Sequence, residues 1–137
     1  MSPPPLPALT ALYAGLLALL IVGLAARVSW FRYRLKIVFG DGGNRELQLA
    51  IRAHGNAIEW AVPAMLLLLI AELNRAPVPL LHACGVAVLL GRLLHAFGLS
   101  RHAGHSFGRF FGSALSWTAF AVLALWCVWA FARLALV

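Results

Sequence analysis

Between Ala50 and Ile70 the chain reads A-I-R-A-H-G-N-A-I-E-W-A-V-P-A-M-L-L-L-L-I. Arg52, Asn56, Glu59 and Pro63 stand in it at i, i+4, i+7 and i+11, within about 60° of one another on a helix. Each brings distinct chemistry. A carboxylate inside a membrane span costs roughly 2.5–3.5 kcal/mol unless it is paired or wetted, so Glu59 needs a partner. Arg52 lies two turns away, about 10 Å of rise, too far for a direct pair unless both side chains reach toward each other, so Arg92 on another helix is the expected counter-charge. Pro63 has no N–H to offer the carbonyl of Glu59, which frees one acceptor beside the carboxylate. Asn56 adds an amide able to donate and accept. The stripe is either an ion pair that fixes helix register or one wall of a polar pocket.

Other polar residues cluster further along. Arg92 and His95 are three apart and share a helix face. Arg109 opens the last apolar run, with Ser113 and Ser116 behind it. His102 and His105 have metal-ligand spacing but no third ligand, so no metal site is expected. His54 points away from the stripe and His82 lies near the outer end of the third span, and both read as structural. Cys84 and Cys127 sit singly in apolar stretches and read as small buried hydrophobes. F-G-D-G-G-N is a turn between helices; no Gly-Lys-Ser/Thr follows, so it is not a phosphate loop.

What positions these residues is a set of apolar helices. The chain of 137 residues is 63% hydrophobic and 11% charged, the balance of an integral membrane protein and not of a soluble domain. Its net charge of +7 reflects bases gathered between apolar runs, which indicates bilayer orientation and no nucleic acid. A single all-α membrane domain over 1–137 is expected, with spans at about 8–28, 48–73, 79–98 and 110–132 in an up-down-up-down bundle. The N-terminus lacks a basic region and a cleavage site, so the first run is expected to be a retained anchor. The span 1–2 loop holds Arg32, Arg34, Lys36 and Arg45, and the span 3–4 loop holds Arg101 and Arg109. The positive-inside rule then puts both loops in the cytosol and both termini outside. Arginines, an amide and a carboxylate would converge there, suited to a small molecule bearing carboxylates and an amine. Its apolar reaction partner would be dissolved in the bilayer.

R-A-H-G-N-A-I-E-W-A-V-P resembles the second-helix signature of the MAPEG family, membrane-associated proteins in eicosanoid and glutathione metabolism. Y-R-L-K-I-V-F-G-D-G-G-N-R-E-L-Q-L-A-I-R-A-H-G-N and C-G-V-A-V-L-L-G-R-L-L-H-A-F-G are similar to its small bacterial inner-membrane branch. The resemblance implies a homotrimer with glutathione as co-substrate, bound between subunits on the cytosolic side. It implies transferase or peroxidase action on a lipophilic electrophile or lipid hydroperoxide. By the same resemblance Arg52, Asn56 and Glu59 bind glutathione, and Arg92 and His95 line the site. Arg32 matches a first-helix arginine, with Arg27 and Arg34 as rivals. Arg109 matches the activating arginine at the start of the fourth helix, after a one-residue gap in the linker. Two positions depart from the pattern: Leu99 stands where several members have tyrosine, and Gly55 where prostaglandin-synthase-like members have a second arginine. A non-catalytic lipid- or ligand-binding protein on the same scaffold is the alternative. A four-span proton-coupled exporter fits less well, because arginines outnumber the one buried glutamate.

Overall fold

The computed structural model of the protein describes residues 6–101 and 106–135. It contains four helices, α1 (Ala8–Leu35), α2 (Arg45–Leu73), α3 (Val78–Arg101) and α4 (Phe107–Ala135). Each is long and apolar enough to cross a bilayer. The helices outrun the apolar stretches that predict them, most clearly in α1, which continues past residue 28 to Leu35. An apolar run measures the hydrocarbon only, whereas a helix closes its own backbone bonds and can continue among the headgroups.

The helix ends show why the chain turns where it does. Pro7 precedes α1 and offers no side-chain cap. Glu72 takes that role from the far end of α2: Oε1 accepts from the Leu9 N–H at 2.9 Å and Oε2 from the Thr10 N–H at 2.7 Å. At its other end α1 stops at Lys36, in the left-handed region at φ 56°. Gly40, Gly42 and Gly43 follow with positive φ, confirming the F-G-D-G-G-N turn. Asn44 caps α2 by accepting from the Leu47 N–H at 3.0 Å. Ser106 does the same for α4, accepting from the Arg109 N–H at 3.3 Å.

Packing makes α2 and α3 the central pair. Both contact every other helix, whereas α1 and α4 do not touch among the described residues. Along α2, Ala50, Ala53, Ala57, Ala61, Ala64 and Ala71 are buried at helical spacing. Side chains this small let neighbouring backbones approach, which is how helices associate in lipid, where water supplies no hydrophobic drive. Glycine does the same between α3 and α4. A Cβ on Gly112 would lie 2.5 Å from the Gly91 carbonyl oxygen and 2.6 Å from the His95 nitrogen; one on Gly108 would lie 2.7 Å from the Leu94 oxygen. The main apolar core, including Tyr13, Leu17, Leu68, Leu81, Val88 and Leu123, fills the half nearer the chain termini. Polar residues gather in the half nearer the α1–α2 turn.

Cys84 is buried, as its surroundings in sequence predict; Cys127 is half-buried, its thiol 3.8 Å from the Leu67 carbonyl. His82 accepts or donates at Nδ1 to the Tyr13 hydroxyl at 2.8 Å, tying α3 to α1. His102 and His105 lie outside the described residues.

Candidate functional site

Arg92 is the centre of the polar half. It is 1% exposed, and its guanidinium joins three helices. Nε donates to Ser116 Oγ at 3.0 Å, Nη2 to the Gly112 carbonyl at 3.1 Å and Nη1 to Asn56 Oδ1 at 2.8 Å. Ser116 Oγ in turn donates to the Gly112 carbonyl at 3.0 Å. The fork geometry of arginine explains the choice of residue, since one planar group reaches acceptors on α2 and α4 at once. The expected Arg92–Glu59 pair is therefore not formed. Asn56 stands between them and takes the guanidinium, because it lies on the inward edge of the stripe and Glu59 on the outward edge.

Glu59 instead meets Arg52, Nη1 to Oε1 at 4.0 Å, along its own helix. Two long side chains bending toward each other cover the two turns that separate them. The contact is at the limit of an ion pair, and the two side chains remain 62% and 55% exposed. Below them the same face continues as Val62, Leu66, Ile70 and Leu73, all exposed. The α2 face is thus polar toward the α1–α2 turn and apolar toward the other end, and no helix among the described residues covers it. α2 runs unbroken through Pro63.

His95 is buried at 8% exposure, one turn from Arg92. The charges of both Arg92 and Arg109 reach it. Arg109 is half-buried in the first turn of α4, close to the Gly98–Gly108 crossing. Here its charge adds to the positive end of the α4 dipole, and the combination favours an anion. The three first-helix rivals separate clearly. Arg27 donates to Ser100 Oγ on α3 and lies over the Phe31 ring. Arg32 binds the carbonyl oxygens of the turn, with Gly40 at 2.9 Å. Arg34 is exposed and stacks over Trp30 at 5.3 Å. The structure thus brings Asn56, Arg92 and His95 together between α2, α3 and α4, with Arg109 about one turn nearer the start of α4. Arg52 and Glu59 lie on the outer side of α2, and Arg32 is at the turn.

Two parts of this arrangement were not anticipated. Ser116 and the Gly112 carbonyl are partners of Arg92; their signal in the sequence is the small residues Gly91, Gly108 and Gly112, which mark where α3 and α4 touch. An aromatic group on α2 and α4 flanks the same level, Trp60 facing Trp117 at 5.9 Å and Phe120 at 5.8 Å.

Four bilayer-length helices with a polar layer near one end define a multi-pass helical membrane protein. Sequence comparison resolves the class further. The MAPEG family model matches residues 10–129, so the chain belongs to the MAPEG family. It is 39% identical over 122 residues to the inner membrane protein YecN of Escherichia coli K12, covering 88% of this chain and 90% of that protein. The protein of the same name from Escherichia coli O6:H1 (strain CFT073) matches to the same extent.

Proposed function

We propose that this protein is a glutathione-dependent transferase or peroxidase of the inner membrane, working as a homotrimer with its site open to the cytosol and both termini outside. The observation that carries this reading is the outward placement of Arg52 and Glu59. An exposed arginine–glutamate pair on a bilayer-spanning helix offers complementary charge to a carboxylate and an amine, the groups of glutathione. A neighbouring subunit over the exposed α2 face would shield that pair from lipid and close the pocket. Asn56, held by Arg92, presents its amide at the pocket floor, with His95 beside it. Arg32 contributes from the turn.

Arg109 has a different role, to hold the thiolate. A free thiol has pKa ≈ 8.5, so only a few per cent is ionised at neutral pH. A guanidinium that lowers it by about 1.5 units, roughly 2 kcal/mol, makes thiolate the majority form. Arginine keeps its proton, so it stabilises charge electrostatically and does not act as a base. The thiolate sulfur then bonds to an electrophilic carbon of a lipophilic substrate as the leaving group departs with the bonding pair.

The experiment is a glutathione titration of detergent-solubilised protein, followed by calorimetry and thiolate absorbance. Arg52→Ala and Glu59→Ala each weaken binding well beyond tenfold; unchanged binding in both removes the site. Arg109→Ala retains binding and loses the thiolate signal. Absence of that signal in the native protein would leave a ligand-binding protein on the same scaffold.

A further inference from the structure

A concavity lies where α1 ends. An open cavity of about 650 Å³ is lined by Arg32, Tyr33, Arg34, Lys36, Ile37 and Val38, three cations and no acid. Its walls are held in place. Lys36 reverses the chain at φ 56°, and Arg32 Nη1 clamps the returning backbone through the carbonyls of Ile37 (3.5 Å), Val38 (3.2 Å) and Gly40 (2.9 Å). With Arg32 turned to the backbone, Arg34 and Lys36 are the exposed cations of the rim. Arg34 lies over the ring of Trp30, itself half exposed, as interfacial aromatics do at headgroup level.

The approach to this cavity is apolar. Leu19, Gly23, Ala26, Trp30 and Arg34 fall within about 80° on one face of α1, over about 22 Å of rise, within reach of a chain whose headgroup sits at Arg34. All five are exposed. A lipid chain lying on that stripe would bring its headgroup to Arg34 and Lys36. We propose that the cavity holds the phosphodiester headgroup of an anionic phospholipid, with its acyl chains along this face of α1. The arginine and lysine neutralise the phosphate, and the apolar stripe distinguishes a lipid from a soluble anion. Arg34 and Lys36 lie outside the proposed glutathione site, and Arg32, which both sites use, is left unchanged in the test, so the two readings are tested separately.

The test is native mass spectrometry of the detergent-solubilised full chain with dioleoylphosphatidylglycerol, dioleoylphosphatidylcholine or inorganic phosphate. The native protein retains phosphatidylglycerol in preference to phosphatidylcholine, and millimolar phosphate does not displace it. The Arg34→Gln/Lys36→Gln variant binds phosphatidylglycerol about 30-fold more weakly, roughly 1 kcal/mol for each cation lost. Arg133→Gln removes an arginine that also lies over a tryptophan, Trp129 at 4.9 Å, at the opposite end of the bundle, and keeps the native preference. Equal retention of the two lipids, or an equal loss in Arg133→Gln, overturns the proposal. Displacement by phosphate overturns the lipid as occupant.

Discussion

Arg92 carries a full charge in an apolar bundle, 1% exposed, with three neutral acceptors around it. Two substitutions separate its charge from its hydrogen bonds. Lysine keeps the charge, but a shorter point-like ammonium reaches one of the three acceptors in place of all of them. Losing two interhelical bonds to a charged group costs about 1–1.5 kcal/mol each in a membrane bundle, so Arg92→Lys is destabilising by roughly 2–3 kcal/mol. Methionine loses all three, about 3–4 kcal/mol on the same scale, but it also removes a charge whose burial costs roughly 2.5–3.5 kcal/mol. Ser116 Oγ and Asn56 Oδ1 both lose their donor, but the Ser116 hydroxyl and the Gly112 carbonyl stay bonded to each other at 3.0 Å, so Asn56 Oδ1 is the acceptor left without that partner. Arg92→Met should therefore fall within about 1–2 kcal/mol of the native protein, above the lysine variant. Equilibrium unfolding by SDS in mixed micelles measures both. A methionine variant less stable than the lysine variant would refute the reasoning, because it would mean that an anion compensates the buried charge.

The glycine crossing gives a sharper steric contrast. Gly112→Ala puts a Cβ against backbone of α3 and should destabilise by about 1–3 kcal/mol in the same unfolding assay. Gly15→Ala, with nothing within 4 Å, should stabilise by about 0.5–1 kcal/mol. The cap between helices is tested by Glu72→Ala, which strips acceptors from two α1 amides and should cost about 1–2 kcal/mol. Hydrogen exchange at Leu9 and Thr10 should speed up in that variant while exchange at mid-helix amides of α3 stays unchanged.

Helix number and order were readable because apolar runs of bilayer length leave little choice of structure, and the turn at Gly40–Gly43 was readable from its glycines. The helical spacing of Arg52, Asn56 and Glu59 correctly put them on one stripe, yet it could not say which edge of that stripe faces inward. That depends on the buried alanines of α2: Ala53 and Ala57 turn the Asn56 edge toward α3 and leave Arg52 and Glu59 outside. Charge sign alone paired Glu59 with Arg92, whereas the packing chose Asn56. The bonds of Glu72 to α1 join residues 62 and 63 positions apart, a pairing that no local pattern encodes.

The two ends of the bundle use polar groups for different purposes. Near the termini, Glu72 holds the first turn of α1, and Tyr13 holds His82, so these side chains act within the protomer. Near the α1–α2 turn, Arg27, Arg32 and Arg92 are likewise bonded within the chain, which fixes the helices and the turn. Arg52 and Glu59 are the contrast: their pair is long, and both remain more than half exposed. An interior network that is already satisfied cannot reorganise cheaply around a ligand, but it can hold Asn56 and the α2 face in position for one. The division of labour follows. On the proposed function, Arg92 supplies rigidity and Arg52 and Glu59 supply binding capacity, so mutations in the two groups should be separable as losses of stability and losses of affinity.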